Sequence, residues 1–227
     1  MTGSIPRLYL ITDRDATAGR PLVEVVRRAL EGAPYDGSVA VQLRDKALEG
    51  RALLELAREL RAVTQAAGAA LFINDRVDVA LAVGADGVHL GRRSLAPADV
   101  ARIAPALAIA VSTHARAEVE AAAGARHLHP NVHVRFAVFG PLWDTKSKRP
   151  YGAPVGLEAL RDAATVGLPL LGLGGITAER AAACRRAGAA GVACIRAVLG
   201  ADDPASAVRS LLRPLERPKG EASEDAL

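Results

Sequence analysis

The sequence predicts a single-domain (β/α)8 TIM barrel, an α/β fold in which eight parallel strands close into a cylinder ringed by helices. Three observations predict it. Short apolar runs alternate with longer amphipathic runs, eight times in order. The 227 residues match the roughly 200–250 that such a barrel takes as one unit. Glycines stand where helical runs end, a few residues before the next apolar run.

The strands are expected at Leu8–Thr12, Val39–Leu43, Ala70–Asn74, Gly87–Leu90, Ala108–Ser112, Phe136–Gly140, Leu170–Gly174 and Gly191–Ile195. Such short apolar runs suit strands buried on both faces. Helices are expected over Pro21–Ala33, Leu48–Ala67, Pro97–Ala104, Ala115–Ala123, Leu157–Ala164 and Ala178–Ala187, with a last one over Pro204–Leu215. Gly68, Gly84, Gly124 and Gly188 each follow a helical run and are expected as left-handed C-caps. Three of them open similar phrases, Gly68-Ala69-Ala70, Gly84-Ala85-Asp86 and Gly188-Ala189-Ala190, which read as recurrent αβ turns. A doubly wound open sheet is the runner-up fold. It needs a reversal of strand order, and the chain carries no long crossover or cofactor fingerprint for one. Residues 1–216 are assigned to the barrel, and the polar tail Arg217–Leu227 is expected to be disordered.

Composition narrows the function. Aromatic residues are 3% of the chain, so Ala, Val, Leu and Ile are expected to do the packing. That scarcity also argues against single-stranded nucleic acid, which is bound on aromatic platforms. The net charge of +4 is mild and spread out, so nucleic acid is not an expected partner, whereas a basic pocket for an anion is. Cys184 and Cys194 form no CxxC pair and read as small buried hydrophobes. There is no apolar run of membrane-spanning length and no leader pattern. The expectation is a cytoplasmic protein with no membrane partner, for which a homo-oligomer is allowed.

Chemistry concentrates where strands end. In Val39–Lys46, side chains alternate faces. Val39, Val41 and Leu43 would face the helices, and Ala40, Gln42, Arg44 and Lys46 the inside. Charge inside a packed barrel is costly, but Arg44 and Lys46 fall at the C-terminal mouth, where barrel active sites sit. They read as a cationic seat for phosphate or pyrophosphate, against the plainer reading of an exposed turn. Gln42 lies deeper as a neutral hydrogen-bonding group. Asn74 and Asp75 close the third strand. Asp75 suits Mg2+, which is bound through one or two carboxylates plus substrate phosphates; it equally suits a helix N-cap. His89 is read as a structural residue or a site residue. Ser112, Thr113 and His114 offer polar groups at the fifth strand's end, or cap the next helix.

The sixth strand runs into a long loop with Thr145, Lys146, Lys148 and Arg149, which suits an anion clamp or a solvated patch. Gly174 and Gly175 follow the seventh strand, and Ile195 and Arg196 the eighth. Loops after these two strands commonly build a barrel's phosphate site, because glycine permits close approach and helix N-terminal amides attract anions. His127, His129 and His133 form an H-x-H-x3-H pattern, read as a polar connection in preference to a metal site.

Seven phrases stand in register along residues 8–200: LYLITD from Leu8, VQLRDK from Val41, FINDRVD from Phe72, GADGVHLG from Gly84, VSTH from Val111, FGPLWDTKSK from Phe139 and LGGI from Leu173. Together they resemble the superfamily of thiamine-phosphate synthase and thiazole tautomerase. The resemblance implies coupling of a hydroxymethylpyrimidine pyrophosphate to a thiazole phosphate, with release of pyrophosphate. It implies that Gln42 and Ser112 face the pyrimidine. It gives Arg44, Lys46, Asn74 and Lys148 to the pyrophosphate and Asp75 to Mg2+. It gives Thr145 and the amides around Gly174, Gly175, Ile195 and Arg196 to the thiazole phosphate. Two positions depart from the synthase pattern: Ser94 stands where a second Mg2+ carboxylate is expected, and Arg196 where Ser is frequent. Pro141 is synthase-like, since the tautomerase carries His there. The synthase is the reading taken, with the tautomerase or a non-catalytic phosphate-ligand binder as alternatives.

Overall fold

The computed structural model describes residues 4–128, 131–144 and 153–216. Its strands are β1 (Leu8–Ile11), β2 (Val39–Leu43), β3 (Ala70–Asn74), β4 (Gly87–Leu90), β5 (Ala108–Thr113), β6 (Val134–Phe139), β7 (Leu170–Leu173) and β8 (Gly191–Cys194). They pair in sequence order, all parallel, and β8 returns to β1 to close the barrel. Between them lie α1 (Leu22–Leu30), α2 (Gly50–Ala66), α3 (Val77–Ala82), α4 (Pro97–Ile103), α5 (Arg116–Leu128), α6 (Gly156–Ala164) and α7 (Ala178–Arg186). After β8 come α8 (Arg196–Leu199) and α9 (Pro204–Leu212). Because every strand runs the same way, all eight C-terminal ends share one rim.

The helices dock by periodicity. In α1 the buried residues are Leu22, Val25, Val26, Ala29 and Leu30, one stripe at three- and four-residue spacing. Burying each large member contributes about 1.5–3 kcal/mol before chain entropy is set against it. The strands sort by parity. Val39, Val41 and Leu43 belong to the layer between sheet and helices, while Ala40 belongs to the barrel interior, as the alternation in β2 predicts. The C-cap glycines Gly68, Gly84 and Gly188 have φ of 64°, 60° and 91°, the left-handed conformation that ends a helix cheaply.

Three expectations need correction. Gly124 is not a C-cap: α5 runs through it to Leu128, so the stretch read as a polar connection begins as helix. The glycine costs about 1 kcal/mol in that position, and the Ala-rich turns around it tolerate the cost. Aliphatic residues do not fill the barrel alone. Tyr9, Phe72 and Phe136 plug it in edge-to-face pairs with centroids 5.1–5.6 Å apart. Gly87 makes this fit, since a methyl group there would stand 2.3 Å from the Phe72 ring. Nor does Asp75 cap α3, whose N-cap is Arg76 with no side-chain cap bond. The tail from Arg217 lies outside the described residues.

Candidate active site

The rim is built on two sides. On the β2–β5 side, Gln42 is buried on the inner face, 1% exposed, and among the described residues its Nε2 makes no hydrogen bond of good geometry, only a weak polar contact with the Tyr9 hydroxyl. A buried amide left unpaired is costly unless a ligand completes it. Next to it runs a buried polar chain. The Tyr9 hydroxyl lies 3.4 Å from Nδ1 of His89, and His89 Nε2 lies 2.8 Å from the Ser112 hydroxyl. Burial, and then the nearby Arg44 charge, push the His89 pKa down to about 3, so the ring is neutral and takes one proton at one nitrogen. The structural reading of His89 has its partners in Tyr9 and Ser112. Burial also raises the Tyr9 pKa.

Above this layer the β2–α2 loop sets the cations. The Thr12 hydroxyl accepts from the Arg44 amide at 2.8 Å and bonds its carbonyl at 3.2 Å. Asp45 turns away, pairing with Arg14 and accepting from the Ala47 and Leu48 amides. This depresses the Asp45 pKa: burial alone would raise it, but the Arg14 guanidinium and the loop amides outweigh that. Arg44 is half-buried and Lys46 exposed, and among the described residues neither forms an ion pair. Two cations at a barrel mouth, in no ion pair among the described residues, create an anion-attracting field.

At the end of β3, Asp75 has φ of 61°, an unusual conformation for a non-glycine residue. Its carboxylate accepts from Asn74 Nδ2 at 2.8 Å and from the Ser94 hydroxyl, which itself accepts from the Gly91 amide at 2.6 Å. Arg92 and Arg93 are exposed beside it.

On the β7–β8 side is a cavity of about 420 Å3. Gly174, Gly175, Ile176, Thr177, Ile195 and Arg196 line it, together with Asp13 at the end of β1. Gly174 and Gly175 have φ of 104° and 64°. Among the described residues, no acceptor takes the amides of Gly174, Gly175, Ile176 or Arg196. Such a concentration of unspent N–H groups suits an anion. Arg44, Asn74 and Asp75 stand on the other side of the rim and do not line this cavity. Thr145, Lys146, Lys148 and Arg149 lie outside the described residues.

Comparison with known proteins places this rim in a family. The family model for thiamine monophosphate synthase matches residues 8–198. The chain belongs to the thiamine monophosphate synthase family. A thiamine-phosphate synthase of Roseiflexus castenholzii is 46% identical over 209 residues, 90% of this chain and 86% of that protein. A putative thiamine-phosphate synthase of Geobacter sulfurreducens is 47% identical over 210 residues, covering 90% and 92%. The solved thiamine phosphate pyrophosphorylase of Pyrococcus furiosus superposes with a TM-score of 0.79 at 35% identity, covering 92% of this chain and 95% of that one.

Within this family member, several expected residues take other roles. His114 pairs with Glu118, whose carboxylate also accepts the His114 amide at 2.6 Å, so it belongs to the start of α5. Thr113 is buried. His133 is exposed, His129 lies outside the described residues, and among the described residues no group of three metal-binding side chains occurs. Both cysteines are buried and unpaired. Tyr9 and Asp13 were not singled out from the sequence. Strand parity in LYLITD, with Leu8 and Leu10 outward, was the signal that could have placed Tyr9 inside. No helix among the described residues is long and apolar enough to cross a membrane.

Proposed function

We propose that this enzyme couples hydroxymethylpyrimidine pyrophosphate to thiazole phosphate, giving thiamine phosphate and pyrophosphate. The observation that carries the reading is the half-buried Arg44, which forms no ion pair among the described residues, directly above a neutral, hydrogen-bonding barrel interior. The pyrimidine ring enters that interior, where the Gln42 amide and the Ser112 hydroxyl meet its polar edge. Arg44, Lys46, Asn74 and Lys148 hold the pyrophosphate. The thiazole phosphate takes the β7–β8 cavity, with Thr145 and the amides around Gly174, Gly175, Ile195 and Arg196 on its phosphate.

In the reaction the bond from the pyrimidine methylene to the pyrophosphate oxygen breaks, and the thiazole nitrogen forms the new C–N bond. Its lone pair supplies the electrons, so no proton transfer is needed. Arg44 and Lys148 stabilise the charge that builds on the departing oxygen, which is where fixed cations contribute most. The neutral His89 adds no positive charge next to the electron-deficient methylene. Holding the two heterocycles in line contributes the rest.

A hard cation of the Mg2+ kind fits the oxygen donors present. Asp75 would hold it with the Ser94 hydroxyl at its side, one carboxylate being enough when substrate phosphates complete the shell. Bound there, it would supply Lewis-acid neutralisation of the leaving pyrophosphate. Pro141, after Gly140 at the end of β6, offers no proton-transfer group, so a tautomerase reading is not needed.

The test is pyrophosphate release with both substrates across a range of Mg2+ concentrations. Release in the wild type and a loss of about hundredfold in Arg44→Ala, the size of one removed charge-stabilising donor, are expected. No release at any Mg2+ concentration overturns the proposal.

A further inference from the structure

The Gly174-Gly175 turn lacks side chains of its own to fix it, yet its outer side is held. Arg180, in the first turn of α7, donates from Nη1 to the Gly175 carbonyl at 2.6 Å. Its guanidinium carbon lies 4.9 Å from the centre of the Trp143 ring, a cation–π stack. Trp143 stands on the loop that leaves β6. That loop is pinned to the end of β7 by the Leu142 amide on the Leu173 carbonyl at 2.8 Å. The three parts meet closely: a methyl group on Gly175 would lie 2.8 Å from Arg180 Nη1 and 3.1 Å from Trp143 Cβ.

The direction of this grip matters. In a planar trans peptide the C=O and N–H point opposite ways. Arg180 draws the Gly175 carbonyl to itself, so the Ile176 N–H of the same peptide unit points away from Arg180. Ile176 lines the cavity, whereas Arg180 does not. The Ile176 amide is one of those that no acceptor among the described residues takes. Glycine loses more conformational freedom on ordering than any other residue, so a Gly-Gly turn left alone would sample many orientations.

We propose that Arg180 is a positioning residue for the thiazole phosphate. With Trp143 it fixes the Gly174–Ile176 peptides so that their N–H groups face the cavity, and it ties this turn to the loop after β6. The inference rests on the proposed coupling reaction and deepens it. Arg180 acts through the turn and not by touching the phosphate, so its effect falls on one substrate. This is preorganisation: the cost of ordering the turn is met before the ligand arrives.

The experiment measures kcat and both KM values for the wild type, Arg180→Ala, Arg180→Lys, Trp143→Ala and the Arg180→Ala/Trp143→Ala double variant. Thermal melts check the fold, and calorimetry gives the Kd of 4-methyl-5-(2-phosphonooxyethyl)thiazole. Arg180→Ala is expected to raise KM and Kd for the thiazole phosphate about tenfold, with KM for the pyrimidine pyrophosphate unchanged. Arg180→Lys keeps a donor and loses the flat stacking face, so its rise is smaller but confined to the same substrate; it stands in if the alanine variant does not fold. In the double variant the rise is smaller than the product of the two single rises. Unchanged thiazole KM in a folded variant, equal rises for both substrates, or strict multiplicativity overturns the inference. A wild type that neither releases pyrophosphate nor binds the thiazole phosphate overturns the coupling reading instead.

Discussion

His89 makes the stability of this protein depend on pH in a way that can be worked out. Its folded pKa is pushed down to about 3 from 6.5, first by burial and then by Arg44. A depressed base binds fewer protons folded than unfolded. Stability therefore rises with pH between the two values and is lost as pH falls from 6.5 toward 3. Well inside that window the slope is about 1.36 kcal/mol per pH unit for one proton. Going from about pH 6 to about pH 4.5, partial protonation of the unfolded chain at the upper end trims the loss to about 2 kcal/mol. In His89→Gln this component vanishes, while the broken contacts to Tyr9 and Ser112 cost the same at both values. Urea unfolding of both proteins at the two pH values isolates it, because the carboxylates common to both cancel in the difference. The wild type should lose about 2 kcal/mol more than the variant. Equal losses would refute a buried, neutral His89 and, with it, the uncharged barrel interior proposed for the pyrimidine.

Three further outcomes are expected. Ser94→Asp places a second carboxylate beside Asp75 and should tighten Mn2+ binding to the substrate-free protein by about tenfold, read by electron paramagnetic resonance; unchanged affinity would remove Ser94 from the cation's surroundings. Gly87→Ala forces a methyl group to 2.3 Å from the Phe72 ring and 2.5 Å from the Ala108 carbonyl. It should destabilise by about 1–3 kcal/mol as overpacking, visible as a lower urea midpoint, and a midpoint equal to wild type would contradict the packing described. Burial pushes the Cys184 and Cys194 thiols up to about 12, so neither should react with a disulfide reagent near pH 8 until the chain unfolds. Rapid labelling of the native protein would count against it.

Much of this protein follows from local patterns. Apolar runs of four to six residues, separated by amphipathic stretches and closed by Gly68, Gly84 and Gly188, determine parallel strands and their turns, because handedness and side-chain parity are properties of a few consecutive residues. Parity also put Ala40 and Gln42 on the inner side of β2, and strand direction put Asn74, Asp75 and Gly174 at C-terminal strand ends. The helical extension of α5 past Gly124 was hidden because one glycine weakens a periodic signal without ending it.

Only the tertiary structure decided who meets whom. That Asp45 takes Arg14 and not Arg44, that Ser94 lies on Asp75, and that Tyr9, His89 and Ser112 from three strands line up in one chain all depend on the stagger with which the sheet closes. The same holds for Arg180 on Trp143. Closure is a long-range property: a slip of one residue in any strand pair would turn the inward set outward, and no stretch of sequence contains that register by itself.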